Sequence, residues 1–258
     1  QLTKGEDGPV DKAGARAAFR KGCDGSDAAS CALLGFSLSE GDGGPVDLAG
    51  ARTAYQKGCD GGDTDIRKQS CFMIGRMLER GQGGPVNKAG ARAAFFQGCY
   101  ADDADACFAL GFLHSNGEGG PVNKTAARTS YQKGCDGGNA SACHNLGLLL
   151  SEGEGGPVNK TAARTAYQKG CDGGNAKACH NLGNMFNRGE GGPVNKTGAF
   201  RSYSKSCELG YANGCRITGL LYILGDGVAE NVPLGNTTLD KACRMGSQEA
   251  CDFRKKYP

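Results

Sequence analysis

Residues 153–188 read GEGGPVNKTAARTAYQKGCDGGNAKACHNLGNMFNR, and residues 117–152 read GEGGPVNKTAARTSYQKGCDGGNASACHNLGLLLSE. The second stretch is a near copy of the first, and most of the 258-residue chain consists of looser copies of both. A fixed period of this size marks a stacked repeat architecture. Two short helices cannot bury their apolar faces alone, but stacked copies can, which is the logic of an α-solenoid.

Each copy opens with a Gly-rich turn, then Pro, Val and a short polar residue: Asp11, Asp47, Asn87, Asn123, Asn159, Asn195 and Asn231. That residue stands where an N-cap belongs, because its side chain can accept from the free N–H groups of a first helical turn. A helix follows with Ala, an aromatic four residues on and Cys four further, as in Ala163, Tyr167 and Cys171, all on one face. The glycines around the Cys end this Ala-aromatic helix. A second helix starts near Ala176, carries Cys179, Leu182, Gly183 and Phe186 on one face, and stops at Gly189. Its central glycine recurs as Gly35, Gly75, Gly111, Gly147, Gly183 and Gly219. A mid-helix glycine costs about 1 kcal/mol against Ala, so the recurrence points to close backbone approach between neighbouring helices. We call this second element the Leu-Gly helix.

Fourteen cysteines fall into seven pairs: Cys23–Cys31, Cys59–Cys71, Cys99–Cys107, Cys135–Cys143, Cys171–Cys179, Cys207–Cys215 and Cys243–Cys251. Each pair straddles a helix–turn–helix corner, where helix ends can approach disulfide distance. A loop this short contributes about 2.5 kcal/mol by constraining the unfolded chain. Zinc half-sites favour closer ligand spacing than C-x7-C, and no redox C-x-x-C occurs. Free thiols in a reducing compartment are the remaining alternative; seven disulfides imply an oxidising one, extracellular or periplasmic.

Formal net charge is +3, from 30 basic and 27 acidic residues, too balanced for a nucleic-acid or membrane-surface binder. No apolar run approaches the length of a membrane span. The 45 glycines follow the repeat and are structural. Gln1 opens the chain without a visible signal peptide, consistent with a processed or trimmed product, and residues 1–10 read as the tail of an earlier copy.

One repeat domain over residues 1–258 is expected, with copies near 8–42, 43–82, 83–118, 119–154, 155–190, 191–226 and 227–258. The second copy carries an insertion at 63–70, read as an exposed loop, and the acidic run Asp60–Asp65 is read as solvated. In the sixth copy Phe200 replaces the usual Arg, and Thr218 replaces Leu. The last copy, ending DFRKKYP, has the character of a capping helix.

The Leu-Gly pair and the Ala-x3-aromatic helix resemble the tetratricopeptide pattern. With the paired cysteines, motifs such as CDGGNASACHNLG (135–147) and KACRMGSQEAC (241–251) resemble the Sel-one-like repeat proteins, in particular their disulfide-rich Hcp-like branch. The resemblance covers residues 8–252. It implies an all-α, right-handed α/α superhelix of about seven repeats, each with a disulfide. It also implies a protein-interaction scaffold; the cysteine-rich branch has been described as penicillin-binding or β-lactamase-like too, which makes a hydrolase the alternative.

By this resemblance the Leu-Gly helices line a concave groove. The residue after each second cysteine and the one four further on would point into it. The candidates are Phe72, Arg76, Phe108, Phe112, His144, Leu148, His180, Asn184 and Arg216. They vary from copy to copy while core positions repeat, as a specific groove for a protein or peptide segment would. Phe72, Phe108 and Phe112 are expected to be exposed, so that truncating Phe108 would spare the fold. His144 and His180 share a register, but their neighbours Phe108 and Arg216 offer no third metal ligand, so neither metal nor cofactor is expected. Ser202-x-x-Lys205 and Lys196-Thr-Gly198 echo β-lactamase motifs yet lie on one helix, in the wrong order and without S-D-N. No catalytic residue is assigned. The Arg16, Arg52, Arg92, Arg128 and Arg164 series is read as a solvated outer face, and the sequons at Asn123, Asn159 and Asn195 as helix caps.

Overall fold

The computed structural model describes residues 11–257; the repeat tail read in residues 1–10 lies outside them. The described chain is all helix. In order it comprises α1 (Lys12–Asp24), α2 (Ala28–Glu40), α3 (Leu48–Gly61), α4 (Thr64–Arg80), α5 (Lys88–Tyr100), α6 (Ala104–Asn116) and α7 (Lys124–Asp136). Then come α8 (Ala140–Glu152), α9 (Lys160–Asp172), α10 (Ala176–Arg188), α11 (Lys196–Glu208), α12 (Ala212–Leu224), α13 (Val232–Arg244) and α14 (Gln248–Lys256). Odd-numbered helices are the Ala-aromatic ones and even-numbered helices the Leu-Gly ones. The chain forms two compact units, one ending at Gly137 and the other beginning at Gly138, and each is an α-solenoid stack.

Helix starts follow the expected chemistry. Asp11, Asp47, Asn87, Asn123, Asn159, Asn195 and Asn231 all cap their helices, each accepting from the N–H three residues on. The three sequon asparagines are therefore N-caps. Leu-Gly helices stop at a left-handed residue such as Gly189 (φ 70°), and Gly191 (φ 70°) two residues later lies against the Lys160 carbonyl. The insertion at 63–70 is not a loop. Asp63 caps α4 by accepting from Asp65 and Ile66 N–H, and the extra residues lengthen that helix to 17, against 13 in α2. Four added residues make about one turn, so Ser70 and Cys71 still face inward, fully buried.

Six cysteine pairs form the expected bridges: Cys23–Cys31, Cys59–Cys71, Cys99–Cys107, Cys171–Cys179, Cys207–Cys215 and Cys243–Cys251. Cys135 and Cys143 are disulfide-bonded as well, and no described cysteine is free.

Packing between copies explains the glycines. A side chain built on Gly35, Gly75, Gly111, Gly147 or Gly183 would collide with the ring of Tyr55, Phe95, Tyr131, Tyr167 or Tyr203 of the next copy. The recurring glycine thus makes room for an aromatic ring, not for a neighbouring backbone as the sequence reading had it. Gly219 is the exception that keeps the original reading. Its ring partner has become Leu239, and the Gly235 carbonyl approaches to 2.9 Å of the Cβ position. Those rings are the buried centre of each unit, with Tyr55 2% and Phe95 0% exposed.

The Arg series is not a solvated face. Arg16 is buried, and its Nη2 donates to the Pro45 carbonyl in the turn before the next copy at 2.9 Å. Arg52 reaches Pro85 at 3.1 Å and Arg92 reaches Pro121 at 3.4 Å. A side chain on Gly44 or Gly84 would meet the guanidinium at 2.7 or 2.6 Å, which accounts for the second glycine of the GGPV turn. Where Phe200 replaces Arg, that Gly-Pro becomes Val228-Ala229, and Phe200 packs edge-on against Tyr222 instead, 5.0 Å between centroids.

A second clamp pairs the first lysine of a helix with the acid of the following turn. Lys12–Asp42 lie 2.6 Å apart, Lys88–Glu118 2.7 Å, Lys160–Glu190 2.9 Å and Lys196–Asp226 3.0 Å. These exposed pairs are each worth well under about 1 kcal/mol. In the second copy Lys becomes Leu48 and the acid becomes Gln82 together.

Candidate functional site: the Leu-Gly helix faces

The Leu-Gly helices bury their Cys, Leu and Gly positions against the stack and leave two further registers towards solvent. The first register is the residue after the second cysteine. Phe72 lies 6.0 Å from Phe95, Phe108 6.1 Å from Tyr131, His144 6.0 Å from Tyr167 and His180 5.6 Å from Tyr203. Each packs on the ring that fills the neighbouring glycine notch. Phe72 and Phe108 are therefore half-buried seam residues, not the exposed ones expected from the sequence. Ala32 is buried, while Arg216 is half-buried.

The second register, one turn on, is the open one. In the first unit it reads Phe36, 49% exposed on α2, Arg76 on α4 and Phe112, 41% exposed on α6. Arg76 stacks over Phe72 with its guanidinium carbon 5.6 Å from the ring centre. Leu33, 48% exposed and one turn before Phe36, widens the apolar surface. The sequence reading did not single it out; an i, i+3 count back from Phe36 finds it. In the second unit the register reads Leu148, Asn184 and Leu220, all half-buried, and Asn184 accepts a 2.7 Å hydrogen bond from the Tyr203 hydroxyl.

The histidines are packing groups. His144 Nδ1 lies 3.1 Å from Asn145 Oδ1, and its Nε2 3.3 Å from the Asn181 amide nitrogen. His180 sits between Tyr203 and Tyr211, edge-on to both. Burial lowers the pKa of each, and Arg216 adds to the effect at His180. Burial of the Tyr203 phenol pushes its pKa up to about 12. Among the described residues no three His, Cys, Asp or Glu side chains converge.

Ser202 and Lys205 do share α11, as expected, but do not form a nucleophile–base pair. The Ser202 hydroxyl donates to the Gly198 carbonyl at 2.8 Å, and Lys205 pairs with Asp172 at 3.5 Å. Lys196 is engaged by Asn187 and Asp226. Ser202 borders an open cleft of about 350 Å³ between α9 and α11, with Gln168, Asp172 and Arg201 around it. A cleft of about 240 Å³ lies at the same place between α1 and α3, bordered by Arg20, Asp24 and Ala54. The two clefts occupy equivalent places in two copies, with Ala54 where the other has Ser202, so the stacking of the copies accounts for their shape.

The sequence matches the Sel1 repeat over residues 28–63, 68–95, 104–139, 140–175 and 176–211, more than half of the chain. Among solved structures it is similar to a protective antigen of uropathogenic Escherichia coli strains that displays an SLR fold. That likeness covers 91% of this chain and 50% of the antigen, with 22% identity and a TM-score of 0.82. The chain therefore spans about half the length of that protein. A Sel1 repeat protein from Oxalobacter formigenes is similar over 93% of this chain and 100% of its own, with 21% identity and a TM-score of 0.67. At such identities these two likenesses establish the fold alone. Helicobacter pylori cysteine rich protein B is 29% identical over 51% of this chain and 95% of its own, with a TM-score of 0.43. No curated protein sequence matches. The repeated glycine–ring seams, the cornering disulfides and the sequence match together mean that the chain belongs to the Sel1 repeat family.

Proposed function

We propose that this protein is a non-catalytic interaction scaffold that receives a peptide or protein segment on its Leu-Gly helix faces. The observation that carries the reading is the open register of the first unit. Phe36 and Phe112 stand exposed on the two helices flanking α4, and α4 presents Arg76 between them. A segment with apolar anchors around an acidic group complements that arrangement, and aromatic and Arg side chains are the usual anchors of such interfaces. Taken by itself, the second unit carries Leu148, Asn184 and Arg216, beside His144 and His180, at the corresponding registers, a more polar face that would receive a more polar segment. Phe72 and Phe108 contribute the floor beneath the anchors. The disulfides support an oxidising setting for this activity, and we propose that it is outside the cell or in a periplasm. No described helix is long and apolar enough to cross a membrane. The test is a photo-crosslinking side chain at position 112, used in the native compartment. It should capture a discrete partner that the same group at Thr165, on the outer side of α9, does not capture.

A further inference from the structure

The outward side of the Ala-aromatic helices carries a second repeated pattern, and one helix breaks it. In α7 the outward residues at i, i+4, i+7 and i+11 are Thr125, Thr129, Gln132 and Asp136; α9 has Thr161, Thr165, Gln168 and Asp172, and all eight are exposed. The glutamine amide donates to the aspartate one turn on, at 2.8 Å in α7, 3.0 Å in α9 and 2.9 Å for Gln56–Asp60 in α3. In α5 the same four positions are Ala89, Ala93, Phe96 and Tyr100, again all exposed, with Phe96 at 60% and Tyr100 at 73%. The inward side of α5 is apolar too, with Ala91, Ala94 and Phe95 buried. α5 is thus apolar on two opposite sides, with Lys88, Arg92 and Gln97 between them, where α7 and α9 are apolar on one side only.

We propose that the outward face of α5 is an interface with the same face of a second copy of this chain, the two helices packing antiparallel. The stripe grades from small to large, Ala89 and Ala93 in its first half, Phe96 and Tyr100 in its second. An antiparallel two-fold sets the rings of each copy over the alanines of the other, which is the self-complementarity an isologous interface needs. The stripe has no charge, and its rim is balanced: Lys57 and Asp60 on α3, Lys133 and Asp136 on α7. A rim of one sign would repel a second copy, whereas a mixed rim does not. Lys133 Nζ lies over the Tyr100 ring, 5.8 Å from its centre, and leaves the ring exposed.

The area fits as well. Two rings of roughly 200 Å² each, exposed to this degree, give an apolar centre of about 250 Å². A standard interface buries about 800 Å² per partner around such a centre. In the proposed dimer the remainder would come from the neighbouring outward residues, Thr53 and Gln56 on α3 and Thr129 and Gln132 on α7.

Sedimentation velocity on the full chain, from about 1 to about 100 μM, tests the proposal. The unsubstituted protein should show a concentration-dependent dimer. The double variant Phe96→Gln/Tyr100→Asp installs the residues α7 carries, so it should fold with an unchanged circular dichroism spectrum while its dimer dissociation constant rises at least about tenfold. If that variant fails to fold, Ala93→Arg, which puts a charge opposite the partner's Phe96, gives the same reading. A protein that stays monomeric throughout, or a dimer that these substitutions leave unchanged, would overturn the proposal and assign the face to a different partner or to none.

Discussion

The ring of Tyr167 occupies the place where a side chain on Gly147 would go: a Cβ there would lie 2.5 Å from Tyr167 Cε1. The glycine and the ring belong to successive copies, so the contact is the seam of the solenoid and not part of either hairpin. Gly147→Ala tests it, because two effects oppose each other. Alanine gains about 1 kcal/mol of helix propensity, while forcing an extra methyl into a packed seam costs about 1–3 kcal/mol. Overpacking should win, since Tyr167 is 3% exposed and has nowhere to move. Urea denaturation should show a net loss of about 1 kcal/mol; a gain would mean the seam is looser than described.

Arg16 clamps the following turn through the Pro45 carbonyl while itself buried. Arg16→Ala removes a charge-assisted hydrogen bond to backbone, at a cost of about 1.5–3 kcal/mol. Arg20→Ala on the same helix, at an exposed position, should stay within about 0.5 kcal/mol of the parent. Equal effects at the two positions would return the Arg series to the role of a solvated face.

All three histidines have folded pKa values below the ordinary 6.5, chiefly through burial, with Arg92 beside His114, Lys177 near His144 and Arg216 near His180 acting the same way. Arg92 Nη2 lies 2.5 Å from His114 Nδ1, which acts as the acceptor when the ring is neutral. A depressed folded pKa means the unfolded chain takes up protons first. The contribution to stability is therefore complete above about pH 6.5 and is lost as pH falls below it towards the folded values. Denaturation followed from about pH 7.5 to about pH 5 should show this decline. His144→Phe with His180→Phe, the residue type at 72 and 108, should flatten it in part. A parallel decline in that variant would assign the effect to other groups.

Breaking one corner bridge, Cys171→Ala with Cys179→Ala, should cost about 2.5 kcal/mol in the chain-entropy account. The loss should also be local. Hydrogen exchange should speed up in α9 and α10 and leave α3 and α4, in the other unit, protected as before. Uniform acceleration through both units would instead mean that the array melts as one block.

What could be read from the sequence was whatever depends on neighbours within a single copy. Asn159 announces a cap, Gly189 a stop and Cys171/Cys179 a corner, because each acts on backbone a few residues away. The partner of Gly147 was not legible in this way, since it comes from the next copy and a glycine does not name what fills its notch. Arg16 was misread because a backbone carbonyl 29 residues on has no residue-type signature. The chain did hold a signal. Where Phe200 replaces Arg, Val228-Ala229 replace Gly-Pro, and where Leu48 replaces Lys, Gln82 replaces the acid. Such paired exceptions, one period apart, mark contacts between copies. The open register at Phe36, Arg76 and Phe112 followed from helical spacing, but whether Phe72 and Phe108 were exposed depended on rings supplied by the following copy.

The most direct test of the scaffold reading is the affinity of the partner captured at position 112. It should be measured by calorimetry for the parent, for Phe112→Ala, for Arg76→Ala and for the outer-face control Thr165→Ala. Phe112 is open to solvent, so its truncation should leave the fold intact while costing about 2 kcal/mol of binding, roughly thirtyfold in affinity. Arg76→Ala should weaken binding further as the acidity of the captured segment increases, and Thr165→Ala should match the parent. Equal affinities for all four proteins would contradict the account and remove the Leu-Gly helix face as the binding surface.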